Sequence, residues 1–89
     1  MLNSAKALLT FPCAFPVKVI GRHNADFEAI VTAIVRRHAP DLHPEAVTSR
    51  SSGGGNYLAV TATVIAHSRD QLDALYRDLN SHEQVLMVL

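Results

Sequence analysis

RSSGGGNYLAVTATVIA, residues 50–66, contains three of the four glycines of the chain and decides the fold. A phosphate-binding Walker loop ends in Lys-Ser/Thr and opens a helix, whose first amides hold the phosphate. Here no lysine follows the glycines, and residues 57–66 alternate with period two, as a β-strand does. The glycines therefore predict a hairpin tip, since Gly and Asn tolerate positive φ. A weak anion contact at the hairpin base, through Arg50, Ser51 and Ser52, is the alternative.

Two helices are predicted from apolar side chains that recur every three or four residues. For the first, Asn24 is the predicted N-cap, Asp26 lies in the first turn and Pro40 ends the helix. Its apolar stripe consists of Phe27, Ile30, Val31, Ile34 and Val35. For the second, Ser68 is the predicted N-cap and Gln71 completes a capping box. Its stripe consists of Leu72, Leu75, Tyr76 and Leu79.

Three further strands complete the pattern. Residues 17–20 form a predicted strand that begins after Pro16, which lacks an amide donor, and ends at Gly21. A polar edge strand is predicted around residues 46–51, and a short buried strand over residues 84–89. The order β-α-β-β-α-β predicts an α+β, ferredoxin-like sandwich, in which a four-stranded antiparallel sheet carries two helices on one face. In that topology the first and third strands are central.

Length and charge limit the organisation of the chain and its partners. The 89 residues are enough for one domain, and we predict a lead-in segment over residues 1–14 and a single ferredoxin-like domain over residues 15–89. Eight basic and eight acidic residues give zero formal charge, which disfavours a nucleic-acid binder and permits self-association. No segment approaches the ~20 apolar residues of a membrane span. We expect a cytoplasmic protein that binds neither nucleic acid nor membrane.

Several motifs spread over nearly the whole chain resemble a known family. They are LLTFPCAFPVKVIG (residues 8–21), RRHAP (36–40), SSGGGNY (51–57), LDALYRDL (72–79) and MVL (87–89). In this order they resemble the YbeD-like family of small bacterial proteins. The resemblance implies a ferredoxin-like fold similar to ACT regulatory domains, which often bind amino acids at subunit interfaces. It implies no established biochemical activity.

The loop after the first strand is the candidate ligand site. In ACT-like domains the glycine-bearing loop between the first strand and the first helix commonly lines the effector site, and the resemblance places Gly21, Arg22, His23 and Asn24 there. Arg22 can pair a carboxylate through two hydrogen bonds, and helix amides attract anions. Asp26 in the same turn opposes an anion. The alternative is a glycine-terminated strand with solvated charges.

The sequence contains no recognisable catalytic or metal-binding set. The five histidines show neither HxH nor HxxxH spacing, and they are His23, His38, His43, His67 and His82. A zinc site needs about four clustered ligands, and the single cysteine offers no thiolate partner. Cys13 has no helix N-terminus behind it to activate its thiol, so we interpret it as a small packing residue or an incidental surface thiol. We expect no enzyme, no metal and no cofactor.

The sheet face away from the helices is the candidate interface. It is predicted to carry Lys18, Ile20, Ala59, Thr61, Thr63 and Ile65. An RRM module stacks RNA bases on aromatics at such a face, and here its centre has none. Small and β-branched side chains suit packing against a second copy or a partner, for which Lys18, Ile20, Thr61, Thr63 and Ile65 are the predicted contacts. The leading hypothesis is a homo-oligomeric, non-enzymatic module that senses a small carboxylate or amino acid. The alternative is a protein–protein adaptor that uses this face or the edge strand without a ligand.

Overall fold

The computed structural model describes residues 9–89, so residues 1–8 of the predicted lead-in lie outside the described residues. The elements are β1 (Cys13–Arg22), α1 (Phe27–His38), a 3-10 turn (Pro44–Ala46), β2 (Val47–Ser52), β3 (Tyr57–Ala66), α2 (Arg69–Asn80) and β4 (Val85–Val88). The strands form one antiparallel sheet in the order β2-β3-β1-β4. This confirms the ferredoxin-like βαββαβ fold, with β1 and β3 central. Within residues 9–89, neither helix is long and apolar enough to cross a membrane.

The core lies between the helices and one face of the sheet. Alternate residues of β1 and β3 are buried there, including Val17, Val19 and Val60. They pack in one cluster with the predicted helix stripes, of which Phe27, Val31, Ile34, Val35, Leu72, Leu75 and Leu79 are buried. Burying a side chain of this size contributes about 1.5–3 kcal/mol. The two periodic patterns therefore meet in a single hydrophobic layer, as the sequence predicts.

The first strand is longer than predicted. It begins at Cys13, so the last two residues of the predicted lead-in belong to the sheet, and it continues through Gly21 to Arg22. Lys18 exchanges backbone hydrogen bonds with Leu89, so the backbone nitrogen of Lys18 faces β4. The nitrogen of Pro16, two residues earlier in the same strand, faces the same side. β4 pairs no residue before Lys18, and Pro16 therefore removes no ladder hydrogen bond. This is why the strand passes through a proline.

The last strand is predicted to be buried, and this prediction is wrong. β4 is the second edge of the sheet, and Leu86 and Met87 are 53% and 50% exposed. A register shift between Ile20 and Gly21 of β1 displaces Leu86 from the regular pairing. Its hydrophobic sequence thus covers only part of the core, through Val85 and Val88.

The helix caps follow the predictions in part. Asp26, not Asn24, is the N-cap of α1, and the Asn24 Oδ1 accepts the Asp26 amide at 2.9 Å to form the turn before the helix. At α2 the predicted cap is confirmed, because the Ser68 Oγ accepts the Gln71 amide at 3.0 Å. The Gln71 Oε1 accepts the amide of His67 rather than that of Ser68. The Gln71 side chain of the capping box therefore bonds the residue before the N-cap instead of the N-cap itself.

The glycine run forms the predicted hairpin. Gly53, Gly54 and Gly55 all have positive φ, at 60°, 67° and 91°. The Gly55 amide donates to the Ser52 carbonyl at 3.1 Å, which closes the tip between β2 and β3. These backbone angles are costly for residues with a side chain, so the turn itself accounts for the three glycines and no phosphate-binding role is needed to explain them.

Candidate functional site

The loop after β1 lies where three segments of the chain meet. Because neighbouring strands are antiparallel, one end of the sheet contains the ends of β1 and β2 together with the starts of β3 and β4. The His23 amide donates to the Asn56 carbonyl of the glycine hairpin at 2.9 Å. On the other side, the Asn24 Nδ2 donates to the Gln84 Oε1 at 2.9 Å. The loop is thereby held between the hairpin tip and the connection that leads into β4.

Gly21 has a packing role in this loop. It is buried, and a Cβ on it would lie 2.4 Å from two ring carbons of Phe27 and 2.6 Å from the Gln84 carbonyl oxygen. These distances are shorter than any van der Waals contact between such atoms. A glycine therefore lets the first residue of α1 and the segment before β4 approach β1 closely.

A hollow of about 330 Å³ opens beside this contact. It is lined by Arg22, Asn24, Glu83, Gln84 and Leu86, which we call the loop pocket. Its volume lies at the lower end of the ~300–1,000 Å³ typical of small-molecule sites. Of the four predicted ligand residues, Arg22 and Asn24 line the pocket, whereas Gly21 is buried behind it and His23 is exposed outside it.

The loop pocket combines opposite charges on separate segments. Arg22 at the end of β1 supplies a guanidinium, and Glu83 before β4 supplies a carboxylate. Within residues 9–89 neither side chain takes part in an ion pair. A guanidinium binds carboxylates in two-pronged fashion, and a carboxylate binds an ammonium group. The pocket is therefore chemically suited to a ligand that bears both groups or to a small carboxylate.

Sequence reasoning missed the side of the pocket that Glu83, Gln84 and Leu86 form. The Asn24–Gln84 hydrogen bond joins residues 60 positions apart, so no local pattern reveals it. The topology supplies the signal, since β4 pairs with β1 and the residues before β4 must lie near the end of β1.

The open sheet face, away from the helices, carries the predicted interface residues. Lys18 pairs with Thr61 and Ile20 pairs with Ala59, while Thr63 and Ile65 lie further along the same face of β3. Ile65 is 42% exposed. Tyr57 is the aromatic residue on this face of β3, at its first position, so the centre of the face has no ring for base stacking.

A mainly apolar groove lies elsewhere, between the start of β1 and α2. It encloses about 570 Å³ and is lined by residues that include Phe15, Leu72 and Tyr76. The Tyr76 hydroxyl donates to the Leu89 carbonyl at 3.0 Å, and burial raises the pKa of this phenol above 10.0. Leu9, the first described residue, also lines the groove, and residues 1–8 lie outside the described ones. We therefore assign no ligand to this groove.

Metal-ligating and nucleophilic side chains are dispersed. Over residues 9–89 no three His, Cys, Asp or Glu side chains are grouped as a metal site would require. Cys13 is half-buried and packs against the core, at the start of β1. His38 contacts Asp78 at 2.8 Å, but it does so together with Arg37 in a cluster that joins the two helices.

Comparison with known proteins places the chain in a family. The sequence profile described as "Protein of unknown function (DUF493)" matches residues 6–89. The chain belongs to the DUF493 family. A UPF0250 protein of Chromobacterium violaceum is 45% identical over the full length of both chains. UPF0250 proteins of Leptothrix cholodnii and Neisseria gonorrhoeae are 48% and 47% identical over 94% and 93% of this chain and 92% and 91% of theirs. The YbeD-like resemblance is thereby confirmed.

Solved structures similar to this DUF493 protein support its fold. The ACT domain from the GTP pyrophosphokinase of Chlorobium tepidum aligns with a TM-score of 0.65, over 85% of this chain and 81% of that one, at 13% identity. The C-terminal domain of the MgtC protein from Mycobacterium tuberculosis aligns with a TM-score of 0.66, over 92% and 89%, at 20% identity. The ACT-like form of the ferredoxin-like fold is therefore established, and identities this low establish the fold alone.

Proposed function

We propose that this DUF493 protein is a non-enzymatic, ACT-like regulatory module that binds an amino acid or small carboxylate in the loop pocket. The observation that carries the proposal is the presence of Arg22 and Glu83 in the lining of one hollow, on segments held together by the Asn24–Gln84 hydrogen bond. An amino acid presents a carboxylate and an ammonium group on one carbon, which matches these two charges. Leu86, also in the lining, offers an apolar contact to a ligand side chain.

Ligand binding in this pocket has a direct route to a structural response. The ligand would join the end of β1 to the segment that enters β4. It would thereby restrict the motion of β4, which is an edge strand and pairs only with β1. Within residues 9–89 the outer edge of β4 has no strand beside it, and Leu86 and Met87 are half exposed. Such an edge is a template for pairing with another chain. We therefore propose a homo-oligomer that uses this edge, so that ligand occupancy alters subunit contact.

Thermal denaturation in the presence of single amino acids, acetate and succinate tests the ligand. At ~100 times its dissociation constant, a ligand adds about 2.7 kcal/mol, which raises the Tm of a domain of this size by about 11–22 °C. Arg22→Gln is expected to abolish the response to single amino acids and to acetate. Glu83→Gln is expected to reduce the rise in Tm caused by amino acids and to leave the rise caused by acetate and succinate unchanged. Arg69→Gln, at the exposed start of α2, is the matched control. Unchanged melting curves across the panel would refute ligand sensing.

Sedimentation velocity at micromolar concentration tests the assembly separately. We expect self-association that Met87→Lys weakens, because a charge on an exposed edge strand opposes pairing. A monomer at all concentrations would remove the oligomer from the proposal and leave ligand binding to be judged by the melting curves.

The second candidate is an adaptor that binds another protein through the open sheet face without a ligand. The observation in its favour is the exposure of large apolar side chains there, Ile65 at 42% and Tyr57 at 37%. Affinity capture from native extract distinguishes the two functions. The adaptor predicts a stoichiometric partner that Ile65→Glu releases, whereas a partner retained by that variant would count against this face.

A further inference from the structure

The zero net charge of the chain hides a strong separation of charge. None of the eight acidic residues lies in a strand. Three cations do, namely Lys18, Arg22 and Arg50, and their strand partners Thr61, Tyr57 and Ala59 all lie on the open face of the sheet. The four other described cations share the helices and loops with all eight acids. The sheet face is thus positive and the rest of the described surface is negative.

This separation determines what the open face can bind. Two copies packed by their open faces would bring cation against cation, at a cost that a low-dielectric interface increases. Within residues 9–89 Lys18, Arg22 and Arg50 take part in no ion pair. The face therefore favours an anion over a second copy of itself.

A polar hollow of about 350 Å³ lies in this face between Lys18 and Arg50, and we call it the sheet basin. The two cations are on β1 and β2, the strands on either side of β3, and are offset by two residues along the sheet. Their Cα atoms are therefore about 12 Å apart, from a strand spacing of ~4.8 Å and a rise of ~3.4 Å per residue. The long side chains span that distance, so both can reach one ligand placed above β3.

The lining of the sheet basin supplies further hydrogen-bond donors. Thr48 and Thr61 face each other across β2 and β3, and Ser52 lies at one end. Ala59 and Ile20 form the apolar part of the lining. Ser49 also lines it, but its hydroxyl donates to the Glu28 carboxylate at 2.8 Å. That carboxylate belongs to α1, on the other side of the sheet, and is not part of the basin lining.

We propose that the sheet basin is a binding site for a small dianion, a phosphate monoester or a dicarboxylate. An ammonium and a guanidinium provide one positive charge each, and the hydroxyls between them donate to the remaining ligand oxygens. This site is separate from the loop pocket, because it shares no lining residue with it. It extends the proposed function without depending on it.

Titration of the uniformly labelled protein, followed by the shifts of its amide NMR signals, tests the sheet basin. Inorganic phosphate, succinate and acetate are the probes. Saturable shifts centred on Lys18, Thr48, Arg50 and Thr61 are expected for at least one dianion, and the probe that binds separates phosphate esters from dicarboxylates. A charge-assisted hydrogen bond lost in Lys18→Gln or Arg50→Gln should weaken binding about tenfold or more. Both residues are exposed, so these variants are expected to fold normally.

Two control variants show whether a dianion binds in the sheet basin or at another cation of the surface. Arg69→Gln and Arg77→Gln each remove an exposed cation of α2, and neither should change dianion binding. Shifts that never saturate, or that persist unchanged in Lys18→Gln and Arg50→Gln, would overturn the assignment. Acetate that shifts the signals of Lys18, Thr48, Arg50 and Thr61 with the same affinity as succinate or phosphate would equally overturn it, since the site would not require two charges.

Discussion

Replacing Gly21 with alanine is predicted to destabilise the protein strongly. The added Cβ would lie 2.4 Å from the Phe27 ring and 2.6 Å from the Gln84 carbonyl oxygen. Phe27 is fully buried and is the first residue of α1, so its ring has no free space into which to turn. The carbonyl belongs to the backbone that enters β4 and cannot rotate away alone. The clash must therefore move α1, the segment before β4, or both.

The size of this effect follows from the number of atoms involved. Overpacking a filled core costs about 1–3 kcal/mol of stability. Because the added Cβ meets atoms on two sides, we expect Gly21→Ala to cost about 3 kcal/mol. The total stability of 89 residues is about 4–13 kcal/mol, so the loss is a large fraction of it. The corresponding fall in Tm is about 12–24 °C for a domain of this size.

Urea denaturation followed by circular dichroism measures this loss, and Gly54→Ala is the matched control. Gly54 has a φ of +67°, but an added Cβ there would meet no atom within 4 Å. Its cost is therefore limited to the backbone conformation, about 1–2 kcal/mol. In the background of Phe27→Leu, which removes ring atoms, Gly21→Ala should cost less than in the wild type. A Gly21→Ala variant as stable as Gly54→Ala would refute the close packing inferred at this position.

Two further predictions concern the helix layer and the apolar groove. Asp78→Ala removes contacts to Arg37 at 3.0 Å and His38 at 2.8 Å, and should cost about 1–2 kcal/mol in urea denaturation because His38 is partly buried. Arg37→Ala, which removes only the exposed partner, should cost less than ~0.5 kcal/mol, and an equal loss in both variants would contradict this reasoning. The raised pKa of Tyr76 means that the folded state holds the phenolic proton more tightly than the unfolded state. Its contribution to stability is therefore complete below pH 10.0 and is lost as the pH rises through the folded pKa; Tyr76→Phe should lack this alkaline loss, and identical pH profiles would count against it.

Most of the fold is predictable from the sequence, because its signals are local and periodic. The alternation in β3 and the two helical stripes identify the buried faces, and the glycine run identifies the hairpin. The passage of β1 through Pro16 is not predictable in this way. It depends on where β4 ends beside β1, which is a relation between distant segments. The hydrophobic sequence of β4 alone suggests a buried strand, but the predicted topology with β1 and β3 central already places β4 at an edge of the sheet.

The candidate site is predictable only on one side. Arg22 and Asn24 belong to the loop that the sequence and the family resemblance single out, and both line the pocket. Glu83 lies in a polar connection with no motif, and the register shift near Gly21 helps to determine which residues before β4 reach the pocket. The sheet basin likewise depends on the pairing of two strands across a third, which puts Lys18 and Arg50 on one face.

Isothermal titration of single amino acids and acetate into the wild type and into Arg22→Gln tests the central claim most directly. Ligand sensing in the loop pocket predicts saturable heat for at least one compound in the wild type, with affinity at least about tenfold weaker in Arg22→Gln. Arg69→Gln should bind as the wild type does. Absence of binding to the wild type, or equal affinity in Arg22→Gln, would contradict the account.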